Sequence, residues 1–198
     1  PVMAPDQNYF VFTSRREGSV GGKKDDKGKF FEDIYMANCD TKGCDFSGLK
    51  PILVNVNTNG HEASISMSWD GSSLFIYKDD KGDGNIYISK FEDGKWSTTE
   101  KLGAEINTKH YENHACLSPD GETLYFVSDR PGGMGGKDIW MSHRIGYNKW
   151  GKAVNLGPRI NSEYNEDAPV LLSDGKTLYF SSEGHESMGG YDIFYSIF

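Results

Sequence analysis

Four times along this chain an aspartate opens a tight turn and a short apolar run follows it, a recurrence that restricts the fold more than any other feature. The registers are PDQNYFVFTS from Pro5, WDGSSLFIYK from Trp69, PDGETLYFVS from Pro119 and SDGKTLYFSS from Ser173, anchored by Asp6, Asp70, Asp120 and Asp174. Gly71, Gly121 and Gly175 follow three of the aspartates, as a hairpin turn with positive φ requires. Gln7 holds that place in the first register, so a different turn is expected there. Four residues after each aspartate stands an apolar triplet of strand character: Phe10-Val11-Phe12, Leu74-Phe75-Ile76, Leu124-Tyr125-Phe126 and Leu178-Tyr179-Phe180.

The alignment carries through the rest of each repeat. A second strand is expected at Asp33-Ile34-Tyr35, Asn85-Ile86-Tyr87, Asp138-Ile139-Trp140 and Asp192-Ile193-Phe194. Phe46, Trp96 and Trp150 begin a third, each ten residues before Val56, Ile106 and Ile160. Next come Asn57-Thr58, Asn107-Thr108 and Asn161-Ser162, with Glu62, Glu112 and Glu166 five residues after each Asn. The strand before each aspartate, over residues 2–4, 64–68, 114–118 and 168–172, is expected to be innermost.

Anchor spacings of 64, 50 and 54 residues fit four antiparallel strands per repeat with loops of variable length. That is the pattern of an all-β propeller with four-stranded antiparallel blades. A two-sheet sandwich would not require such repetition. Four repeats are visible in a single propeller domain or segment over 1–198, with blades at roughly 1–58, 59–108, 109–162 and 163–198. The last blade is expected to lack its outer strand, the ring to be incomplete, and the chain to be part of a longer one.

GGMGGKDIW at 132–140 and ESMGGYDIF at 186–194 repeat one phrase, Met-Gly-Gly-x-Asp-Ile-aromatic. Its place between the second and third strands of a repeat predicts a compact turn whose aspartate accepts backbone N–H bonds. Asp33, Asn85, Asp138 and Asp192 are therefore expected to be structural turn residues.

The charge balance, 21 basic against 29 acidic residues for a net −8, argues against a nucleic-acid partner. No stretch is long and apolar enough to predict a membrane span. Cys39 and Cys44 flank DTKG, a turn that could bring them together as a disulfide or leave two incidental thiols. In HYENH, His110 and His114 lead into an inner strand, where four residues span roughly 13 Å, too far to share one zinc. DDKGDGN from Asp79 places lysines where a calcium loop needs oxygen ligands. No metal or other cofactor is expected. Glu62, Glu112 and Glu166 recur where the inner strands begin. They could form a carboxylate ring at a channel mouth for a cationic ligand, or accept backbone hydrogen bonds as structural groups. No catalytic residues are expected, because catalytic groups are singular within a repeat fold whereas the polar residues here are mostly repeated. The long insertion REGSVGGKKDDKGKFFED from Arg16 reads as a mobile surface loop.

LSPDGETLYFVSDRPGGMGGKDIWMS and NLGPRINSEYNEDAPVLLSDGKTLYFSSEGHESMGGYDIFYS resemble the WD40-like propeller repeats of TolB. They are more similar still to those of Bacteroidetes OmpA-family envelope proteins, including the PorE-like component of type IX secretion. The resemblance implies a non-catalytic scaffold, periplasmic and outer-membrane associated or extracellular, whose partners are other cell-envelope proteins. It also implies peptidoglycan association through domains absent from this chain. The alternative expectation is a carbohydrate-binding or polysaccharide-cleaving propeller, since enzymes of that class use propellers rich in carboxylates.

Overall fold

Every anchoring aspartate turns the chain with its own side chain. The carboxylate of Asp6 accepts the N–H of Asn8 (3.1 Å), Asp70 that of Ser72 (2.9 Å), Asp120 that of Glu122 (3.0 Å) and Asp174 that of Lys176 (2.8 Å). The residue between takes positive φ: 74° at Gly71, 76° at Gly121, 65° at Gly175 and 59° at Gln7. The first turn thus matches the other three despite its glutamine, whose left-handed conformation costs what a glycine avoids.

In a computed structural model the chain is an all-β, four-bladed antiparallel propeller. Residues 1–198 are described apart from 48, 50, 53–55 and 81. The side chain of Asp80 and residue Lys81, in the middle of DDKGDGN, lie outside the described residues. Blade one runs β1 (Val2–Met3), β2 (Tyr9–Ser14), β3 (Asp33–Asp40) and β4 (Gly43–Asp45) in sequential order. Blade two repeats this with β5 (Glu62–Met67), β6 (Ser73–Asp80), β7 (Asp83–Glu92) and β8 (Lys95–Trp96), while β9 (Glu100–Lys101) pairs with β7. Blade three comprises β10 (Glu112–Leu117), β11 (Thr123–Ser128), β12 (Asp138–Gly146) and β13 (Lys149–Trp150), with β14 (Val154–Asn155) on β12. Blade four has β15 (Glu166–Leu171), β16 (Thr177–Ser182) and β17 (Asp192–Ile197). Trp96 and Trp150 end their short strands rather than beginning them, and Phe46 directly follows β4.

Contacts divide the chain into two compact units, residues 1–82 with 87–100, and residues 83–86 with 101–198. In the first, Val11 and Ile34 of blade one pack on Leu74, Ile76 and Trp96 of blade two. In the second, Cys116, Tyr125, Val127 and Ile139 of blade three meet Leu171, Leu178 and Phe180 of blade four. Strand alternation accounts for both cores, since every second residue of a strand faces the same neighbour.

Recurrent asparagines close the blades. Asn161 accepts the N–H of Ile139 at 2.8 Å and donates to its carbonyl at 2.9 Å, so one side chain replaces a missing strand neighbour. Asn57 does the same for Ile34 and Asn107 for Ile86. Burial of these amides demands that both halves be bonded, which explains why Asn and no apolar residue recurs there.

Candidate functional site

The recurrent glutamates are turned inward. Glu112 and Glu166 are fully buried, and Glu62 nearly so. Glu112 accepts the N–H of Thr108 at 3.0 Å and its hydroxyl at 2.9 Å, and Glu166 takes the same bonds from Ser162 at 2.9 and 2.6 Å. Glu62 holds Thr58 likewise. Ser128 and Ser182 add hydroxyl donors to Glu112 and Glu166. Arg130 lies 3.2 Å from Glu112, donates to the carbonyls of Glu105 and Ile106 and stacks 4.7 Å above the Phe126 ring, and Arg16 holds the equivalent place in blade one, 5.4 Å above Phe12.

The four turn residues occupy equivalent places. Asp138 accepts the N–H of Met134 at 2.9 Å, Asp192 that of Met188 at 2.6 Å, and Asp33 that of Val20. Asn85 instead donates to the carbonyl of Asp83 at 2.8 Å. Burial raises the carboxyl of Asp33 to about 6 against the Val20 bond, with the charge of Glu62 adding to the rise. Burial raises Asp138 too. Cys39 and Cys44, paired across the β3–β4 hairpin, are joined by a disulfide. Cys116 is a free thiol, pushed up to about 12 by burial.

What the repeat leaves unrepeated gathers at one place in the second unit. One residue after the glutamates stand Ala63, Asn113 and Asp167, and two after them Ser64, His114 and Ala168. Bulges interrupt pairing between Glu112 and Ala115 and between Asp167 and Val170. Bulges re-aim side chains, and Ala168 adopts φ 49°, a conformation an alanine takes only under constraint. The result sets His114 Nδ1 2.5 Å from Asp167 Oδ1, a contact lying off the direction of an aligned ring N–H bond.

Asp167 is the hub of this cluster. Asn113 donates to it at 3.1 Å, the N–H of Ala168 at 2.7 Å, and Lys137 Nζ lies 3.7 Å away. Burial pushes its carboxyl up, but His114, Asn113 and the Ala168 N–H outweigh burial and hold it at about 2. Lys137 also lies 5.0 Å above the Tyr111 ring, and the N–H of Tyr111 donates to Asp129. Tyr191 is raised to about 12 by burial and then by the negative charges of Asp167, Glu183 and Glu166. Lys137 and Tyr191 fill the variable x of the two Met-Gly-Gly-x-Asp phrases. The frame of that phrase makes the turn, and its variable residue reaches toward the charged cluster.

His110 lies 3.9 Å from Asp129 while His114 serves Asp167, so the two histidines of HYENH are used separately. Among the described residues no three His, Cys, Asp or Glu side chains gather as a metal-binding set. In the first unit a second pair, His61 with Glu32, is braced by Arg15, and the His61 ring stacks on Phe31 at 3.8 Å. Sequence reasoning overlooked both pairs because it followed what recurs. The signal lay in polar residues that break the repeat at equivalent positions.

No family model matches the sequence, and no curated protein matches it either. Solved structures do match by fold. TolB from Acinetobacter baumannii aligns over 100% of this chain and 40% of its own at 19% identity, with a TM-score of 0.62. A puromycin hydrolase aligns over 98% of this chain and 28% of its own at 13% identity and TM-score 0.58. An alpha-L-arabinofuranosidase from Lactobacillus brevis aligns over 96% of this chain and 68% of its own at 14% identity and TM-score 0.51. The chain thus spans well under half the length of that TolB. No helix is long and apolar enough to cross a membrane among the described residues.

The expectation of a non-catalytic scaffold, and that the chain is no enzyme, is corrected here. Hydrolytic enzymes share this fold, and the argument from repetition fails at His114 and Asp167, which are singular. The narrower resemblance to OmpA-family and type IX secretion proteins has no counterpart in these three matches. What the comparisons show is the fold alone, a β-propeller like that of TolB and the two hydrolases.

Proposed function

We propose that this chain is a carbohydrate-acting propeller that binds a polysaccharide and cleaves it at the cluster formed by blades three and four. The observation that carries the reading is the His114–Asp167 pair, built from singular residues on two bulged inner strands beside a strained Ala168. A histidine set against a half-buried carboxylate is equipment for moving a proton. His114 is the group we assign to take the proton from an attacking water or an acidic sugar carbon and return it to the leaving oxygen. Asp167 is the carboxylate that the ring lies against. Lys137, 3.7 Å from Asp167, supplies positive charge for an anion developing on the substrate. A lone carboxylate beside a histidine suits this proton transfer better than the two-carboxylate displacement of most glycosidases.

The sugar preference draws on the arabinofuranosidase that shares this fold. The setting we propose is the periplasm or the outer envelope, in keeping with the TolB-like fold and the Cys39–Cys44 disulfide. Glu62, Glu112 and Glu166 are read as anchors of the loops leading into the inner strands. The test is incubation with peptidoglycan and a panel of neutral and uronate polysaccharides, scoring retention, new reducing ends and unsaturated ends. Retention with new chain ends on one class supports the reading. Neither retention nor cleavage across the panel contradicts it.

A further inference from the structure

Within each unit one backbone bond recurs where the turn of one blade meets the loop ahead of the next. The N–H of Glu166 donates to the carbonyl of Lys137 at 2.8 Å, and that of Glu62 to the carbonyl of Glu32 at 3.0 Å. Lys137 and Glu32 each stand one residue before a turn aspartate, and Asn165 and His61 one residue before a recurrent glutamate. The two units fill these variable places of a constant frame differently. In the first, His61 takes the side chain of Glu32. In the second, Asn165 takes the backbone of Lys137, whose N–H donates to Asn165 Oδ1 at 2.9 Å.

That difference decides where the lysine goes. With its N–H and its carbonyl both bonded, the backbone of Lys137 is fixed, and its side chain is left to reach Asp167, 3.7 Å from Nζ, over the face of the Tyr111 ring. Fixing the root of so flexible a side chain reduces the freedom it gives up in holding one position. Asn165 is itself held. Its Nδ2 donates to Glu183 Oε2 at 2.6 Å, so a rotated amide would set donor against donor at Lys137 and acceptor against carboxylate at Glu183. The turn fits hard against it: a Cβ on Gly136 would stand 2.4 Å from Asn165 Oδ1, and the N–H of Gly136 donates to the Tyr164 carbonyl at 3.1 Å.

We propose that Asn165 is a positioning residue whose amide sets the Lys137 ammonium beside Asp167 and His114. Resting on the reading of that cluster as the place of cleavage, this role can still be measured without a substrate. Reductive methylation of the full chain with carbon-13 formaldehyde labels lysine amines and keeps their charge. The label on Lys137 should resonate upfield of those on exposed lysines, because it lies over the Tyr111 ring, and Lys137→Met should identify the signal by removing it. In Asn165→Ala the signal should move to the position of exposed lysines. Asn165→Asp combined with Glu183→Gln exchanges acceptor and donor while keeping both hydrogen bonds and the net charge, so the upfield signal should return. Asn165→Ser replaces Asn165→Ala should the latter lose its far-ultraviolet β-sheet spectrum.

The second arm is cleavage. Asn165→Ala and Lys137→Met should lower kcat by the same factor, about 10-fold or more, with KM little changed, and the two together should cost no more than either alone. A wild type with no upfield lysine signal overturns the proposal, as does an upfield signal that survives Asn165→Ala or that the exchanged pair fails to restore. Additive losses of kcat overturn it as well. A wild type that cleaves nothing contradicts the proposed activity, and the spectrum then decides by itself whether Asn165 places Lys137.

Discussion

At the scale of single residues, three polar side chains make separable predictions. Asp33 titrates at about 6 when folded against an ordinary value of 3.8, so on unfolding its carboxyl ionises more readily. Between about pH 4 and pH 6 the unfolded chain gains from that ionisation before the folded one does, and this group's contribution falls by about 3 kcal/mol. Asp33→Asn, the residue that Asn85 already is in blade two, should abolish that fall when unfolding free energies are compared across the range. Asp167 works in the opposite sense: held at about 2, it contributes stability above the ordinary carboxyl range that is lost as pH drops toward 2. Asn161→Ala would leave the buried N–H and carbonyl of Ile139 unpartnered, and chemical denaturation should show a loss of about 3 kcal/mol. The importance of Asn161 was visible in the sequence as a recurrence, but its chemistry was not. Nothing in Asn-Ser states that the amide substitutes for a strand neighbour, because the partner, Ile139, lies 22 residues away.

At the scale of elements, the anchoring turns and the strands on either side of them were legible because their signals are local. Each turn is fixed by an aspartate and the next residue, and each strand by alternation. The short outer strands were placed less well, since Trp96 and Trp150 were recruited by packing and end strands of two residues. Loop spacing around the Met-Gly-Gly phrase also depends on distant backbone. A Cβ on Gly135 would stand 1.9 Å from the Tyr164 carbonyl, which comes from the loop ahead of blade four. Gly135→Ala should therefore cost about 2 kcal/mol or more, read from the denaturation midpoint. Gly103→Ala, with open space around the new methyl, should leave the midpoint nearly unchanged.

At the scale of the whole molecule, the repeat that made the fold readable also hid the candidate site. Duplication repeats the same glutamate and the same asparagine three times and the same turn aspartate four times, and their hydrogen bonds hold turns and strand ends. Chemistry needs a group that occurs once, and only the structure brought His114 of blade three to Asp167 of blade four, 53 positions apart in sequence (167 − 114). The measurement that bears most directly on this account is the rate at which the full chain releases new chain ends from each polysaccharide of the panel, beside that of His114→Gln. The account predicts a fall of about 100-fold or more, with retention on the polysaccharide preserved. Equal rates for the two proteins would contradict it.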